Sequence, residues 1–148
     1  MAGKVLVFKP PARKNVEKRE RLEMAEEEKN EKIVIFATHG PEDPERATLP
    51  FVMGNGALAM DVQVNILLQG NGVLLAKKGC YDHVFAAGLP ALKELVGSFI
   101  EQGGEILVCT PCLEERKITK DMLVEAAKPI KAARAVMEVL EAKNVISY

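Results

Sequence analysis

The strongest candidate for chemistry in this chain is the motif Cys109-Thr110-Pro111-Cys112. It directly follows the apolar run at residues 105–108, which predicts a buried strand. Thr110 suits a helix N-cap and Pro111 suits the first helical position, so a helical turn should begin here. Free cysteine is commonly buried, but two cysteines at this spacing favour a function over simple burial.

Cys109 is the expected nucleophile of the motif. It would sit just ahead of the helical turn, whose N-terminus carries partial positive charge. Arg116 and Lys117 follow and add further positive charge. Positive surroundings favour the thiolate, which is the nucleophilic form of cysteine.

A metal site is an alternative for the same cysteines. Cys80 and His83 stand at C-x-x-H spacing, and with Cys109 and Cys112 they would complete a zinc-like set of four ligands. Cys80 and His83 fall in a predicted loop, where an ordinary histidine and a half-buried cysteine are the simpler interpretation. We therefore predict no metal and no cofactor.

A thioredoxin-like redox motif is a second alternative, because Cys109-Thr110-Pro111-Cys112 has C-x-P-C form. The motif lies late in the chain, after two predicted strand–helix units. Pro129 is the only proline downstream, and it is predicted to lie between two helices rather than before a strand. This context argues against a thioredoxin-like site.

Two further turns follow predicted strands. Ligands of parallel α/β sheets bind beyond the carboxyl ends of the strands, so these turns should gather around the cysteine motif. Backbone N–H groups in a glycine-rich turn are able to bind an anion, although the full nucleotide-binding patterns are missing. The candidate binding residues in the two turns are Thr38, His39, Gly40, Gly70, Asn71 and Gly72.

Strand and helix patterns alternate from Lys32 onward. Strands are predicted at residues 33–37, 62–68, 105–108 and 145–148. Helices are predicted at residues 44–59, 73–77, 90–102, 119–127 and 131–142. Asp43 is the expected N-cap of the first of these helices, and Gly54 and Gly56 within it suggest close packing. The alternation predicts an α/β fold, a three-layer α/β/α sandwich around a mainly parallel sheet.

Composition sets limits on the function. The chain has 148 residues, 48% of them hydrophobic, and its formal net charge is −1. A chain of this length and mixture buries a core, so disorder throughout is excluded. The pI is near 6.2, and a balanced charge argues against nucleic acid as a partner. Trp is absent and aromatic residues are 5% of the chain, which argues against aromatic stacking grooves.

The chain divides by composition into two parts. Residues 1–31 form a charged N-terminal extension, with a short β-prone piece at residues 4–8 and a predicted helix after it. The extension is either a solvated segment or an arm that docks on a neighbouring subunit. Residues 32–148 form the predicted α/β domain. No membrane segment or secretory signal is apparent, so a cytoplasmic location with reduced cysteines is expected.

From Lys32 to Tyr148 the sequence resembles the DsrE/DsrF-like family of small sulfur-relay proteins. The most specific cue is C-x-x-C-x-x-x-R-x-I, matched by Cys109, Cys112, Arg116 and Ile118. The looser cues are the T-x-G turn at residues 38–40 with its Asp/Pro-rich continuation, the pairs at residues 46–47 and 103–104, the segments at residues 61–64 and 70–73, and the closing strand at residues 145–148. Lys117 departs from the family, which usually has Gly at this position.

The resemblance implies a five-stranded parallel α/β/α fold and assembly into homotrimers or homohexamers. It also implies that Cys109 carries sulfur as a persulfide. Thr110 and Arg116 stand close to the cysteines in the sequence and are further candidate substrate-binding residues. The role of Cys112 stays open, because only part of the family has it. The partners expected from the resemblance are sulfur donor and acceptor proteins, with thiosulfate or polysulfide as possible small donors.

Three functions follow for testing. The first is a sulfur carrier or sulfurtransferase that loads Cys109. The second is a thiol–disulfide or peroxide-reducing protein, in which Cys109 attacks and Cys112 resolves. The third is a metal-binding or scaffold subunit of a redox complex.

Apolar segments at residues 51–53 and 84–87 add an independent indication of subunit contacts.

Overall fold

Five parallel strands form the centre of the computed structural model, which describes residues 13–29 and 31–148. In chain order the strands are β1 (Lys32–Ala37), β2 (Gln63–Leu68), β3 (Glu105–Cys109), β4 (Ala127–Ile130) and β5 (Asn144–Ser147). They lie in the order β4-β3-β2-β1-β5, and every pair is parallel. Helices cover both faces, so the predicted α/β/α fold is confirmed.

The part of the chain that the structure describes contains five α-helices. They are α1 (Arg13–Lys29), α2 (Pro44–Leu58), α3 (Leu92–Glu101), α4 (Thr110–Glu115) and α5 (Ala132–Glu141). Short 3₁₀ helices lie at Gly70–Ala76, Tyr81–His83 and Lys120–Met122. Helix α1 belongs to the charged N-terminal segment, and Glu31–Tyr148 forms a separate compact unit. The predicted β-prone piece at residues 4–8 lies outside the described residues.

The first face of the sheet carries the apolar core under α2 and α3. Val64, Ile66 and Phe99 are fully buried, as their β-branched or aromatic character predicts. The Phe51 and Phe99 rings meet edge to face, with centroids 5.6 Å apart. Each buried side chain of this kind contributes roughly 1.5–3 kcal/mol to stability through the hydrophobic effect.

Helix α2 begins as its sequence predicts. Asp43 is the N-cap, and its Oδ1 accepts the backbone N–H of Arg46 at 3.0 Å. Gly54 packs closely, because a Cβ there would lie 2.9 Å from the Phe99 ring. The same expectation for Gly56 is wrong, since a Cβ there would meet nothing within 4 Å.

The second face carries α5 on a buried polar network. Glu138 of α5 is fully buried, and its Oε2 lies 2.7 Å from Nζ of Lys32 and 2.6 Å from Nδ2 of Asn65. Arg134 reaches the other carboxylate oxygen at 2.5 Å. Burial opposes ionisation of Glu138, but the Lys32 and Asn65 donors outweigh it and lower the Glu138 pKa. The network fixes α5 over β1 and β2.

One predicted helix is wrong. Residues 119–127 contain only the 3₁₀ turn Lys120–Met122, and β4 begins at Ala127. Pro129 lies within β4 and not between two helices, so its position does not distinguish the cysteine motif from a thioredoxin-like one. Strand β4 pairs only with β3, and a sheet edge tolerates proline because one side of the strand needs no backbone donor. Across the described residues, no helix is long and apolar enough to cross a membrane.

Candidate functional site

Three loops meet at the carboxyl edge of the sheet, as the strand pattern predicts. The N–H of Gly72 donates to the carbonyl of Thr38 at 3.2 Å, which joins the loops after β1 and β2. The N–H of Gly70 donates to Sγ of Cys112 at 3.4 Å, which joins the loop after β2 to α4. The cysteine motif is therefore in direct contact with the glycine-rich turn.

Two glycines permit this close approach. A Cβ on Gly72 would lie 2.2 Å from the carbonyl oxygen of Ala37, and a Cβ on Gly40 would lie 2.5 Å from that of Asn71. Neither position has room for a side chain. Gly40 and Gly72 thus allow one loop to pack against the other.

Helix α4 places the two thiols. Cys109 is the N-cap residue with an extended backbone, Thr110 is the first helical residue and Pro111 the second. The helix therefore starts one residue earlier than predicted. An N-cap side chain and the third helical residue lie side by side in this geometry, so Cys109 and Cys112 are neighbours. Both are half-buried.

Cys109 faces a small apolar cavity between β3 and α5. The cavity has a volume of about 80 Å³. The residues that line it are Leu67, Gln69, Cys109, Pro111, Ile130, Lys131, Ala132 and Ala135. A sulfur atom attached to Cys109 would enter a largely nonpolar space, with Lys131 at its margin.

The electrostatics of Cys109 differ from the expectation of a low-pKa thiol. Burial raises the pKa of Cys109, and its hydrogen bond with the Cys112 side chain raises it further. The backbone N–H of Cys112 and the Arg116 guanidinium act in the opposite direction but do not outweigh burial. In the resting protein Cys109 is therefore protonated over a wider pH range than an ordinary thiol.

Arg116 ties α4 to the glycine-rich turn. Its Nη2 donates to Oδ1 of Asn71 at 2.7 Å, and its Nη1 donates to the carbonyl of Cys112 at 3.2 Å. This two-sided contact holds a positive charge beside both thiols. The predicted site residues Gly70, Asn71 and Arg116 thus lie together with the two cysteines.

Thr38 and His39 belong to a different part of the edge. The Thr38 hydroxyl donates to the carbonyl of Tyr148 at 2.7 Å, and Nδ1 of His39 lies 3.1 Å from that hydroxyl. Nη1 of Arg46 lies 3.3 Å from Nε2 of His39. Because arginine only donates, Nε2 accepts, and the hydrogen-bond network assigns the His39 proton to Nδ1. The hydrogen bonds of His39 do not reach Cys109 or Cys112.

Glu42 is a site residue that sequence reasoning missed. Its two carboxylate oxygens accept the N–H of Gly40 at 3.0 and 3.1 Å. Burial opposes its ionisation, but this N–H and the Asn71 side chain outweigh burial and lower the Glu42 pKa. The signal in the sequence is an acidic residue two positions after a glycine in a turn, which is able to cap that glycine's N–H.

The zinc-like set of ligands is not assembled. Among residues 13–29 and 31–148, no three His, Cys, Asp or Glu side chains converge as metal ligands. Cys80 is the N-cap of the 3₁₀ turn Tyr81–His83, and His83 is the last residue of that turn. Burial raises the pKa of Cys80, and the nearby Glu42 carboxylate adds to that effect.

A broader apolar groove continues from the small cavity. It has a volume of about 340 Å³ and shares Gln69, Ala132 and Ala135 with the cavity at Cys109. Leu140 and Val136 of α5 line it and are 79% and 56% exposed. The sequence pattern of α5 predicted a helix but gave no indication that its apolar side would border the thiol.

Comparison with known sequences identifies relatives among archaeal proteins. The uncharacterized protein MJ0989 of Methanocaldococcus jannaschii is 32% identical over 117 residues, which cover 79% of this chain and 99% of that protein. The uncharacterized protein MJ0760 of the same organism is 33% identical over 132 residues. The match covers 89% of this chain and 47% of MJ0760, so the chain spans about half of that longer protein.

Comparison with solved structures supports the fold. The ychN protein from E. coli superposes with a TM-score of 0.63 at 16% identity, covering 80% of this chain and 99% of that one. MTH1491 from Methanobacterium thermoautotrophicum gives a TM-score of 0.64 at 16% identity, with the same coverage. The family model described as DsrE/DsrF-like matches residues 31–148. By this match, and by the fold and cysteine motif that accompany it, the chain belongs to the DsrE/DsrF-like family.

Proposed function

We propose that this protein is a sulfur carrier that holds sulfane sulfur as a persulfide on Cys109 and passes it to a cysteine of an acceptor protein. Family membership supports a role in sulfur relay. The observation that carries the finer proposal is the position of Cys109. Its thiol ends a central strand at the carboxyl edge, lines an apolar cavity and neighbours a second thiol.

The proposed cycle has two steps. In loading, the Cys109 thiolate attacks the outer sulfur of thiosulfate, a new S–S bond forms, and sulfite leaves with the electron pair of the broken bond. In transfer, an acceptor thiolate attacks the outer sulfur of the persulfide, and Cys109 leaves as a thiolate. No net oxidation occurs in either step.

The surroundings of Cys109 suit such a carrier. The cavity would surround the outer sulfur with mainly apolar side chains, and Arg116 stabilises the thiolate that transfer regenerates. Donor and acceptor proteins are the proposed partners, within a homotrimer or homohexamer. A reducing cytoplasm would keep both neighbouring thiols free between cycles.

Intact mass spectrometry tests the proposal. After incubation with thiosulfate or polysulfide, the protein is expected to gain about 32 Da, the mass of one sulfur atom, and to lose it on reduction. Cys109→Ser should abolish the gain in mass, because it removes the cysteine sulfur to which the added sulfur atom would be attached. Cys80→Ser is the matched control and should load like the unchanged protein. Loading that survives Cys109→Ser would contradict the assignment.

The proximity of the two thiols supports a second candidate, a thiol–disulfide or peroxide-reducing protein. Cys109 is the N-cap of α4 and Cys112 its third residue, so oxidation at one sulfur leaves a resolving thiol beside it. Under this candidate, peroxide produces a Cys109–Cys112 disulfide and no donor produces a persulfide. Mass spectrometry of peroxide-treated and donor-treated samples separates the two candidates.

A further inference from the structure

We propose that Cys112 discharges the carrier from within, by attacking the inner sulfur of a Cys109 persulfide and releasing hydrosulfide. This inference rests on the proposed function, because it needs a loaded Cys109. It gives Cys112 a defined activity, which the family resemblance leaves open. It also makes sulfide release a second outcome of loading, beside transfer to an acceptor.

The first support is the placement of Cys112. It occupies the third position of α4 while Cys109 is the N-cap, and this spacing sets the two side chains side by side at the start of the helix. The inner sulfur of the persulfide is the Cys109 Sγ itself, so the atom to be attacked is already the neighbour of Cys112. No movement of the sheet is needed to bring the reacting atoms together.

The second support is the set of groups that hold the Cys112 sulfur. The Gly70 N–H donates to Sγ of Cys112 at 3.4 Å, so this sulfur is held toward the glycine-rich turn. Arg116 binds the Cys112 carbonyl and keeps its positive charge within the same turn. Cys112 thus has a backbone donor from the glycine-rich turn, while Arg116 lies near both thiols.

The third support is the difference in access to the two sulfurs of a persulfide. The outer sulfur would project toward Leu67, Ile130 and Ala135 in the cavity of about 80 Å³. An external thiol must enter that space to collect it. Cys112 attacks the inner sulfur from the side of Gly70, outside the cavity. Internal discharge therefore proceeds whenever no acceptor has reached the cavity.

The step balances without an added oxidant. The Cys112 thiolate forms a bond to Cys109 Sγ, the bond between the inner and outer sulfurs breaks, and the outer sulfur leaves as hydrosulfide with the electron pair. Hydrosulfide is a weaker base than an alkyl thiolate, so it is the better leaving group. The sulfane sulfur is reduced, and the two cysteines are oxidised to a disulfide. A dithiol reductant must then restore the thiols before another cycle.

The test follows loaded protein over time in anaerobic buffer, after excess polysulfide has been removed. The unchanged protein is expected to lose the adduct of about 32 Da while free sulfide appears in equal amount and the protein becomes about 2 Da lighter than its reduced form. In Cys112→Ser the adduct should persist at least about tenfold longer. Cys80→Ser is the matched control and should behave like the unchanged protein. Protein without donor should stay reduced, which separates this disulfide from oxidation by peroxide.

Equal lifetimes of the adduct in the unchanged protein and Cys112→Ser would overturn the inference and leave the carrier function standing. Sulfide release without a Cys109–Cys112 disulfide would overturn it as well. An adduct in neither protein, together with no sulfide and no disulfide, would overturn the carrier function and the inference together. Cys112→Ala repeats the comparison without a hydroxyl, and circular dichroism verifies that both variants fold.

Discussion

At the residue scale, Cys109 and Cys112 differ in their surroundings although both belong to the first turn of α4. Cys109 faces an apolar cavity, and Cys112 accepts the Gly70 N–H. Burial dominates at Cys109 and raises its pKa. Two opposing effects therefore set the reactivity of the Cys109 thiol. Burial raises its pKa, and the positive charge of Arg116 lowers it.

Arg116→Gln should slow alkylation of Cys109 roughly two- to threefold at about pH 8, because the pKa of Cys109 rises further once the guanidinium is lost. The rate should keep increasing well into the alkaline range, since the thiolate fraction grows until pH passes the raised pKa. Rates of iodoacetamide labelling against pH measure the effect. Arg116→Lys keeps the charge and should recover part of the rate. Lys93→Gln, which removes an ammonium paired with Asp82, is the control. An unchanged profile in Arg116→Gln would mean that its charge does not reach the thiol.

Sequence reasoning located the thiol pair and the glycine-rich turn because each follows a recognisable strand. It could not find Glu42 or Lys131 as neighbours of the site. Their proximity depends on how tightly Gly40 packs on Asn71 and on the path of α5 across the sheet. These are distances between segments far apart in the chain, and local patterns carry no information about them.

At the scale of elements, the ends of the helices show how the chain turns back toward the sheet. The N–H of Ile118 bonds to the carbonyl of Leu113 at 3.0 Å, and the N–H of Lys117 bonds to that of Glu114 at 3.1 Å. This pair of bonds is a Schellman motif, which needs a left-handed residue. Lys117 has φ 56°, whereas α3 ends with Gly103 at φ 90°. The family usually has glycine at the position of Lys117, and the left-handed backbone there is strained for a lysine.

Lys117→Gly should stabilise the protein by about 0.5–1 kcal/mol, because glycine adopts the left-handed conformation without a steric penalty. Added freedom in the unfolded chain offsets part of the gain. The midpoint of urea denaturation measures the change. Glu114→Gly, at an exposed position inside α4, is the matched control and should destabilise by about 0.5–1 kcal/mol. A lower urea midpoint for Lys117→Gly than for the unchanged protein would contradict the inference that the left-handed backbone of Lys117 is strained.

The second prediction at this scale concerns the contact between α5 and the sheet. Glu138→Gln should destabilise the protein by about 2–4 kcal/mol, because it leaves the Lys32 ammonium buried beside a neutral amide. Denaturation by urea at neutral pH measures the loss. Glu141→Gln is the matched control. Glu141 also binds Lys32, but it is half exposed, so its loss should cost under about 1 kcal/mol.

The same pair predicts a pH dependence. The pKa of Glu138 is lowered in the folded protein. Its contribution to the free energy of unfolding is therefore complete above the ordinary carboxyl pKa of 4.5, and it is lost as the pH falls through the lower pKa of the folded protein. The pKa of Lys32 is raised. Burial opposes this, and the hydrogen bonds to Glu138 and Glu141 outweigh it. The contribution of Lys32 to stability is complete below its ordinary pKa of 10.5, and it is lost as the pH rises through the higher pKa of the folded protein. Glu138→Gln should therefore flatten the acid side of the stability profile, and an unchanged acid side would refute this account.

Elements differ in how far the sequence predicts them. β1, β2 and β3 are rich in apolar residues, and this composition is typical of strands that are buried on both faces of a sheet. β4 reads Ala-Lys-Pro-Ile, with Lys128 and Pro129 exposed, and such a short edge strand lacks the signal. Its strand conformation comes from pairing with β3, a tertiary contact that overrides local propensity.

At the scale of the whole molecule, assembly stays a prediction. Phe51 and Val84 belong to the core, so only part of the two apolar segments is available for contacts. Val52, Met53 and Phe85 are exposed, and α5 adds the exposed side chains of Val136 and Leu140. Exposed apolar patches of this kind often mark subunit contacts. A second copy of this chain is the occupant that the family resemblance favours.

We expect the protein to be a homotrimer or homohexamer and Leu140→Glu to shift it toward monomer, because a charge replaces a side chain that is 79% exposed on α5. Light scattering measures the mass. Met60→Glu is the matched control, since Met60 is 77% exposed at the end of α2. A monomeric unchanged protein would refute the assembly. A truncated chain that begins at Lys32 should assemble like the full chain, and a monomer there would assign a role to the charged extension.

Tyr148 has a consequence for how the protein is handled. Its backbone is bound on both sides, with the N–H donating to Phe36 at 2.9 Å and the carbonyl accepting from Thr38 at 3.1 Å. Any polypeptide fused after Tyr148 therefore starts at the carboxyl edge of the sheet, on the rim that holds the cysteines. An affinity tag or fluorescent fusion placed there would crowd the approach of a bulky partner while leaving small reagents free to enter. Binding assays that use such a fusion would underestimate affinity for a protein acceptor, so labels are better attached at an engineered surface position on the opposite rim.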